Sequence, residues 1–302
     1  MITITDLYKR FNREDALRGV NLTVPEGQVT AFLGPNGAGK TTTIKCAMNL
    51  IYRDGGEVTV MGKDARELGK EQWQRIGYVS ENRQLPGWMT VPKLMKFLRP
   101  MYGSHWDADF EKKMTKSFEL PLKTTLSAMS RGQRMKAALL SALAYRPQLV
   151  VLDEPFSGLD PLVRDEFLTG LLELTDAEGW TVLISSHDIE EVERFADRVA
   201  IINAGRIDLQ EDVETLRERF RSVELWFDEE PVLPLKGTLP ETWLNPQVNG
   251  RTVVFSDTNY DEASSRAMLA RFFPDSRRQE VRRMTLREIF VVLARSYRAQ
   301  AV

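Results

Sequence analysis

The chain has 302 residues, 42% of them hydrophobic and 28% charged, a globular composition with room for two domains of ~150 residues each. Lys and Arg number 41 against 43 Asp and Glu, and this near balance argues against a protein that coats nucleic acid. One cysteine, Cys46, excludes an internal disulfide framework and a multi-cysteine zinc cluster, and two histidines, His105 and His187, are too few for a histidine-rich metal site.

Residues 1–17 contain no apolar run of signal-peptide length. The longest apolar stretches, such as residues 289–294, fall far short of the ~20 residues that cross a bilayer. A cytoplasmic chain is expected, one able to dock on a membrane protein. Residues 29–33 (VTAFL) read as a short buried strand. A glycine-rich segment, 34–41, and a helical pattern over 42–49 follow. Further apolar runs at 149–152, 181–184 and 199–202 read as strands, the last closed by the turn signal Asn203-Ala204-Gly205. Uniformly apolar strands separated by helices predict a parallel sheet covered on both faces.

Residues 83–147 read as an inserted helical subdomain, with proline-marked breaks at Pro86, Pro92, Pro100 and Pro121. Its Trp88, Met89, Phe97, Met101 and Tyr102 are read as core of that subdomain rather than as a groove for a partner helix. Cys46 is read as a small buried apolar residue. Near Arg221 the pattern changes. Val223, Leu225 and Phe227 alternate as in a strand, residues 253–255 suggest another, and residues 261–273 suggest an amphipathic helix. Thr285-x-x-Glu288 is a capping-box pattern that opens a last helix. Arg277, Arg278, Arg282, Arg283 and Arg287 are read as a charged strand edge that deters aggregation. The domains expected are 1–220 and a small α+β domain over 221–302, for which the sequence leaves a regulatory and a dimerising role open.

Gly34-Pro35-Asn36-Gly37-Ala38-Gly39-Lys40-Thr41 has the phosphate-loop spacing, between a predicted strand and a predicted helix. Gly34, Gly37 and Gly39 let the backbone curl around phosphate, with Asn36 in the same loop. The helix that follows turns its positive end to the ligand. Lys40 reaches the β- and γ-phosphates, Thr41 places a hydroxyl on Mg²⁺, and Thr42 adds a phosphate contact. The run 149–152 ends in Asp153 and Glu154, carboxylates at the sheet edge where ligands bind. Asp153 suits the metal's coordination shell and Glu154 suits the attacking water. His187, in Ser185-Ser186-His187-Asp188, ends the next strand on the same edge. There the residues alone leave a structural role and a γ-phosphate contact open.

Together these motifs resemble the ATP-binding subunits of ABC transporters, over about residues 1–220. Ser130-Arg131-Gly132-Gln133 lies where that family has its Ser-Gly-Gly-Gln signature, and Ser157-Gly158-Leu159-Asp160 matches its D-loop. The resemblance implies a phosphate-loop NTPase of α/β class with a helical subdomain, ATP and Mg²⁺ as ligands, and a head-to-tail homodimer. In that dimer Ser130, Gly132 and Gln133 complete the partner's site, and Asp160 belongs to the same interface. Phe11 falls where an aromatic residue stacks on adenine, Glu154 is the base and His187 the γ-phosphate sensor. Two positions depart from the pattern. Glu81 stands where the family has glutamine, and is expected at the metal with Thr41 and Asp153. Arg131 replaces the signature's first glycine.

Residues 77–81, 105–107 and 284–290 look like those of ABC-2-type export ATPases, closest to antibiotic-response and peptide-export subunits. The reading is an ATPase that powers an exporter, peripheral on the inner face of the cell membrane through an integral-membrane permease, with no nucleic-acid partner. The alternatives are a soluble ABC-type ATPase switch without transport and a weakly hydrolysing nucleotide-binding regulatory subunit.

Overall fold

The computed structural model describes residues 1–81, 84–157, 159, 164, 179–234 and 238–300, with the side chains of 294 and 297–300 left aside. Contacts divide the chain into two compact units, Met1–Gln210 and Glu211–Val302. The sequence expectation put the boundary ten residues later. Helix α6 (Val213–Arg219) groups with the second unit, where the Arg219 carbonyl accepts a hydrogen bond from the Tyr260 amide at 2.9 Å.

The first unit opens with an antiparallel sheet that the sequence reading did not anticipate. Strands β1 (Ile2–Phe11), β2 (Glu14–Val24), β4 (Gly55–Val60) and β5 (Lys63–Asp64) lie in the order β2-β1-β4-β5. Ile2 faces both Val24 and Val60, and Ile4 faces both Leu22 and Val58. These alternate residues are buried on one face while their neighbours meet solvent, the period-2 pattern of a half-covered sheet.

The second sheet has the order β10-β9-β3-β8-β7-β6, with β3 Val29–Leu33, β6 Ile76–Ser80, β7 Leu149–Asp153, β8 Thr181–Ser186, β9 Arg198–Asn203 and β10 Arg206–Asp212. Every pairing among β9, β3, β8, β7 and β6 is parallel. All five residues of β3 and of β7 are buried, which is why these strands read as unbroken apolar runs. Helix α1 (Lys40–Ala47) carries Ile44, Cys46 and Ala47 into one apolar cluster with residues of both sheets. Cys46 is therefore core, and burial pushes its thiol up to about 11.

The helical segment holds α3 (Val91–Tyr102), α4 (Ala108–Ser117) and α5 (Arg131–Leu143), while α2 (Lys70–Trp73) is a single turn before β6. Pro92 sits in the first turn of α3, where its missing N–H is harmless, but α3 runs through Pro100 rather than breaking there. The segment is braced by charge. Arg99 gives Glu111 a forked pair of hydrogen bonds at 2.8 and 3.0 Å, and Trp106 Nε1 donates to the same carboxylate at 2.8 Å. Asp107 caps α4 through the Phe110 amide at 2.8 Å and holds Arg146 at 2.7 Å. The core reading of the aromatic set is corrected in part. Met89 is buried and Tyr102 stacks on Tyr145 at 3.7 Å, but Trp88 is 70% exposed and Phe97 and Met101 are about half exposed.

In the second unit β11 (Arg221–Trp226), β12 (Trp243–Asn249), β13 (Thr252–Asp257) and β14 (Arg278–Arg283) form an antiparallel sheet in the order β12-β13-β11-β14. Val223, Leu225, Trp243, Val253 and Phe255 pack with Leu269 and Phe273 of the segment around α7 (Glu262–Phe272). β14 is an edge strand and bears Arg278, Arg282 and Arg283 as expected, whereas Arg277 precedes it and Arg287 lies in the last helix. Thr285 and Glu288 form the expected capping box ahead of α8 (Leu286–Gln300). The Thr285 amide donates to Glu288 Oε2 at 2.9 Å and the Glu288 amide to Thr285 Oγ1 at 3.2 Å. No helix among the described residues is long and apolar enough to cross a membrane.

Arg282 donates to Glu288 at 2.6 Å and, with the Thr285 amide, holds that carboxyl down at about 2. A depressed acid stabilises the fold above its unfolded value and loses that effect as pH falls through the folded one. Thr285→Ala is expected to cost the second unit about 1 kcal/mol. Denaturant titration should also show the wild-type unit losing the Glu288 contribution between the ordinary glutamate range and pH ~2, and Glu288→Gln should flatten that pH dependence.

Candidate functional site

Four parallel strands deliver side chains to one edge of the sheet. β3 runs into the Gly34–Thr41 loop, β6 into Glu81, β7 into Asp153 and Glu154, and β8 into Ser185 and His187. The carboxyl edge of a parallel sheet is where such folds bind ligands. Gly34 has no room for a side chain, because a Cβ there would lie 2.3 Å from the Ile202 carbonyl oxygen of β9. Gly39 caps α1 in a left-handed conformation, φ 112°, and a Cβ would press on Leu17 at 2.7 Å.

The charged groups form two connected sets. In the first, the buried Lys40 ammonium donates to the Gly34 and Pro35 carbonyls at 2.6 and 3.2 Å and pairs with Glu154 Oε1 at 3.0 Å. Glu154 Oε2 meets His187 Nδ1 at 2.8 Å. Glu154 is thus held between a cation and an imidazole, on a backbone at φ 52° that few non-glycine residues adopt. In the second set, Thr41 Oγ1 and Ser185 Oγ both donate to Asp153 Oδ1, at 3.0 and 2.8 Å. Ser185 Oγ in turn accepts from the Glu154 amide at 3.0 Å. Burial pushes the Asp153 carboxyl up, the two hydroxyl donors pull it down, and the Glu154 charge pushes it up again.

A cavity of about 300 Å³ opens over these groups. Its walls include Asn36, Gly37, Gly39, Lys40, Thr41 and Thr42 of the phosphate loop, and Glu81, Glu154, Ser157 and His187 from the sheet edge. Ala16 of β2 also lines it, a contribution the sequence reading missed because an alanine in a half-covered strand carries no motif. Ser185 was likewise passed over beside His187, yet it fixes both acids. Thr41 and Asp153 together are hard oxygen donors of the kind Mg²⁺ takes beside phosphate, so the residues fit that ion.

The remaining expected residues lie elsewhere. Phe11 ends β1, about half exposed, with Lys9 Nζ 5.3 Å from its ring centroid, and is not in the cavity wall. Ser130, Gly132 and Gln133 open α5 and also do not line it. Ser130 Oγ accepts from the Gln133 amide at 3.2 Å and Gln133 Oε1 accepts from the Ser130 amide at 3.0 Å, a capping box. Asp160 lies outside the described residues. Glu81 and Arg131 meet each other at 3.1 Å.

A glycine-rich loop between a parallel strand and a helix, with its lysine, threonine and strand-end acids, defines a phosphate-loop NTPase domain. Comparison with known proteins narrows the class. Residues 17–157 match the family described as ABC transporter. The chain is 33% identical over 211 residues to "Probable multidrug ABC transporter ATP-binding protein YbhF" of Escherichia coli, covering 68% of this chain and 36% of that protein. It is 36% identical over 215 residues to "Sulfate/thiosulfate import ATP-binding protein CysA" of Caulobacter vibrioides, covering 68% and 63%. Among solved structures, the dimeric bacterial ABC transporter cassette MJ0796 superposes with a TM-score of 0.63 at 25% identity, covering 70% of this chain and 98% of that one. The chain therefore spans about a third of the first relative's length and under two thirds of the second's. Its first unit carries the domain of the ABC transporter family over residues 17–157.

Because burial raises Asp153, its ionised form costs folding energy that appears as pH rises through the ordinary carboxylate range. Asp153→Asn keeps an oxygen acceptor for Thr41 and Ser185 and removes the buried charge. It is expected to raise the melting temperature of the apo protein by about 2–4 °C, the effect of ~1 kcal/mol on a unit of this size. Calorimetric scanning of the two proteins checks the sign.

Proposed function

We propose that the chain binds MgATP over the Gly34–Thr41 loop, hydrolyses it, and so powers a membrane exporter as one of a pair of ATP-binding subunits. The observation that carries this reading is the run of contacts Lys40–Glu154–His187 at the sheet edge. It sets a phosphate-seeking cation, a base and an imidazole around one cavity. Lys40 exchanges the Glu154 carboxylate for the β- and γ-phosphate oxygens. Glu154, released from Lys40, takes a proton from the water that attacks the γ-phosphorus. The bond from that phosphorus to the β–γ bridging oxygen breaks, and ADP leaves with its electron pair. His187, held through Nδ1 by Glu154, turns its other ring nitrogen to the γ-phosphate. Thr41 and Asp153, with Glu81, hold Mg²⁺, which offsets phosphate charge when bound. Phe11 supplies the adenine contact.

Ser130, Gly132 and Gln133 stand outside the chain's own cavity and are assigned to the site of a second copy, with Asp160 at the same interface. The dimeric cassette among the structural relatives supports that assignment. Export rests on residues 77–81, 105–107 and 284–290, since the relatives include both a multidrug-type and an import subunit. The exposed Trp88, Phe97 and Met101 are the apolar surface on which an integral-membrane permease would seat. The chain would then lie in the cytoplasm against the inner face of the membrane. The second unit is assigned to regulation or dimer contact.

Glu154→Gln should bind ATP and lower steady-state phosphate release at least ~100-fold; unchanged release would refute the role of Glu154. Lys40→Ala should weaken MgATP binding about tenfold to a hundredfold, the effect of a lost charge-assisted contact, measured by calorimetry. Co-purification of the tagged chain from detergent-solubilised membranes should bring along a stoichiometric multi-span protein. Its absence, with hydrolysis intact in solution, would favour the soluble switch.

A further inference from the structure

The two positions at which the chain departs from its family's pattern touch each other. Glu81, in place of glutamine, follows β6, and its amide is tied to the Asp153 carbonyl at 2.8 Å. Arg131, in place of glycine, is the first residue of α5. Arg131 Nη2 donates to Glu81 Oε1 at 3.1 Å and to Ser157 Oγ at 3.4 Å, and Ser157 Oγ donates to Glu81 Oε1 at 2.5 Å. Three segments, two of which line the cavity, are thereby joined through one carboxylate oxygen.

Neither residue is explained by its own element. A cation in the first turn of a helix opposes the helix dipole, and α5 has no acid in that turn to offset it. A carboxylate at the cavity wall repels phosphate unless a cation neutralises it. Each charge answers the other.

We infer that Arg131 is a positioning residue that acts through Glu81. It holds the carboxylate at Ser157 and competes with a divalent cation for it, so that entry of the metal with ATP loosens α5 from the sheet edge. This rests on the nucleotide-site reading above. Arg131 and Glu81 are about half and one-third exposed, so the competition is modest and salt-sensitive.

The test is equilibrium binding of a hydrolysis-resistant ATP analogue, adenylyl-imidodiphosphate, by calorimetry across a Mg²⁺ series. Wild type, Arg131→Gly, Arg131→Lys, Glu81→Gln and the Glu81→Gln/Arg131→Gly double variant are compared. Arg131→Gly is expected to lower the Mg²⁺ needed for half-maximal binding about twofold to fivefold, the range of a partly exposed ion pair. Arg131→Lys, which keeps the charge, should stay near wild type. In the Glu81→Gln background, Arg131→Gly should cause no shift. An equal shift in both backgrounds, or none in either, would overturn the proposal. A wild-type chain that does not bind the analogue at any Mg²⁺ concentration would overturn the nucleotide-site reading along with it.

Discussion

The first unit is organised around a carboxylate that burial disfavours. Asp153 ends a strand whose every residue is enclosed, and it keeps its place through donors from two other elements, Thr41 at the start of α1 and Ser185 at the end of β8. Those hydrogen bonds fix the phosphate loop to the sheet and the sheet's strands to one another at the edge where chemistry is proposed. Desolvation makes the arrangement costly, and the cost falls on the oxygen proposed above as a metal ligand.

Next to it, Glu154 shows how one side chain can serve both the resting site and the reaction. Lys40 and Glu154 are both buried, and each would be an unpaired charge without the other. Their pairing keeps the loop's lysine aimed into the cavity. On the proposed reading, phosphate oxygens would satisfy the same ammonium, and binding would free the carboxylate at the moment a base is required. His187 holds the other carboxylate oxygen at 2.8 Å.

The sequence announced this edge because its signals are local. A run of buried strand residues followed at once by glycines or acids states both the element and the side chain it presents, as at Val29–Leu33 and Leu149–Asp153. The first sheet was less legible, although Ile2, Ile4, Leu22 and Val24 alternate correctly. Its β1–β4 pairing joins distant segments, and register shifts within β1 blur the period. β12 was hidden by Pro246, which sits where the register against β13 shifts between Leu244 and Gln247 on an edge strand, a place where a missing N–H is tolerated. Glu81 and Arg131 were visible only as departures from a pattern. Their contact spans two distant segments, and no spacing rule reaches across that distance.

The brace at Glu111 has a mechanical meaning. Arg99 and Trp106 lock the C-terminal half of α3, the turn after it and α4 onto a single carboxylate, and Arg146 fastens the cap of α4 to the residues just beyond α5. A body tied at so many points does not dissipate a push by bending. A displacement at the first turn of α5 would therefore move the helical segment as a unit, together with the exposed Phe97 and Met101 of α3. The bracing makes the segment a stiff lever whose near end meets the cavity wall through the Arg131–Glu81 pair.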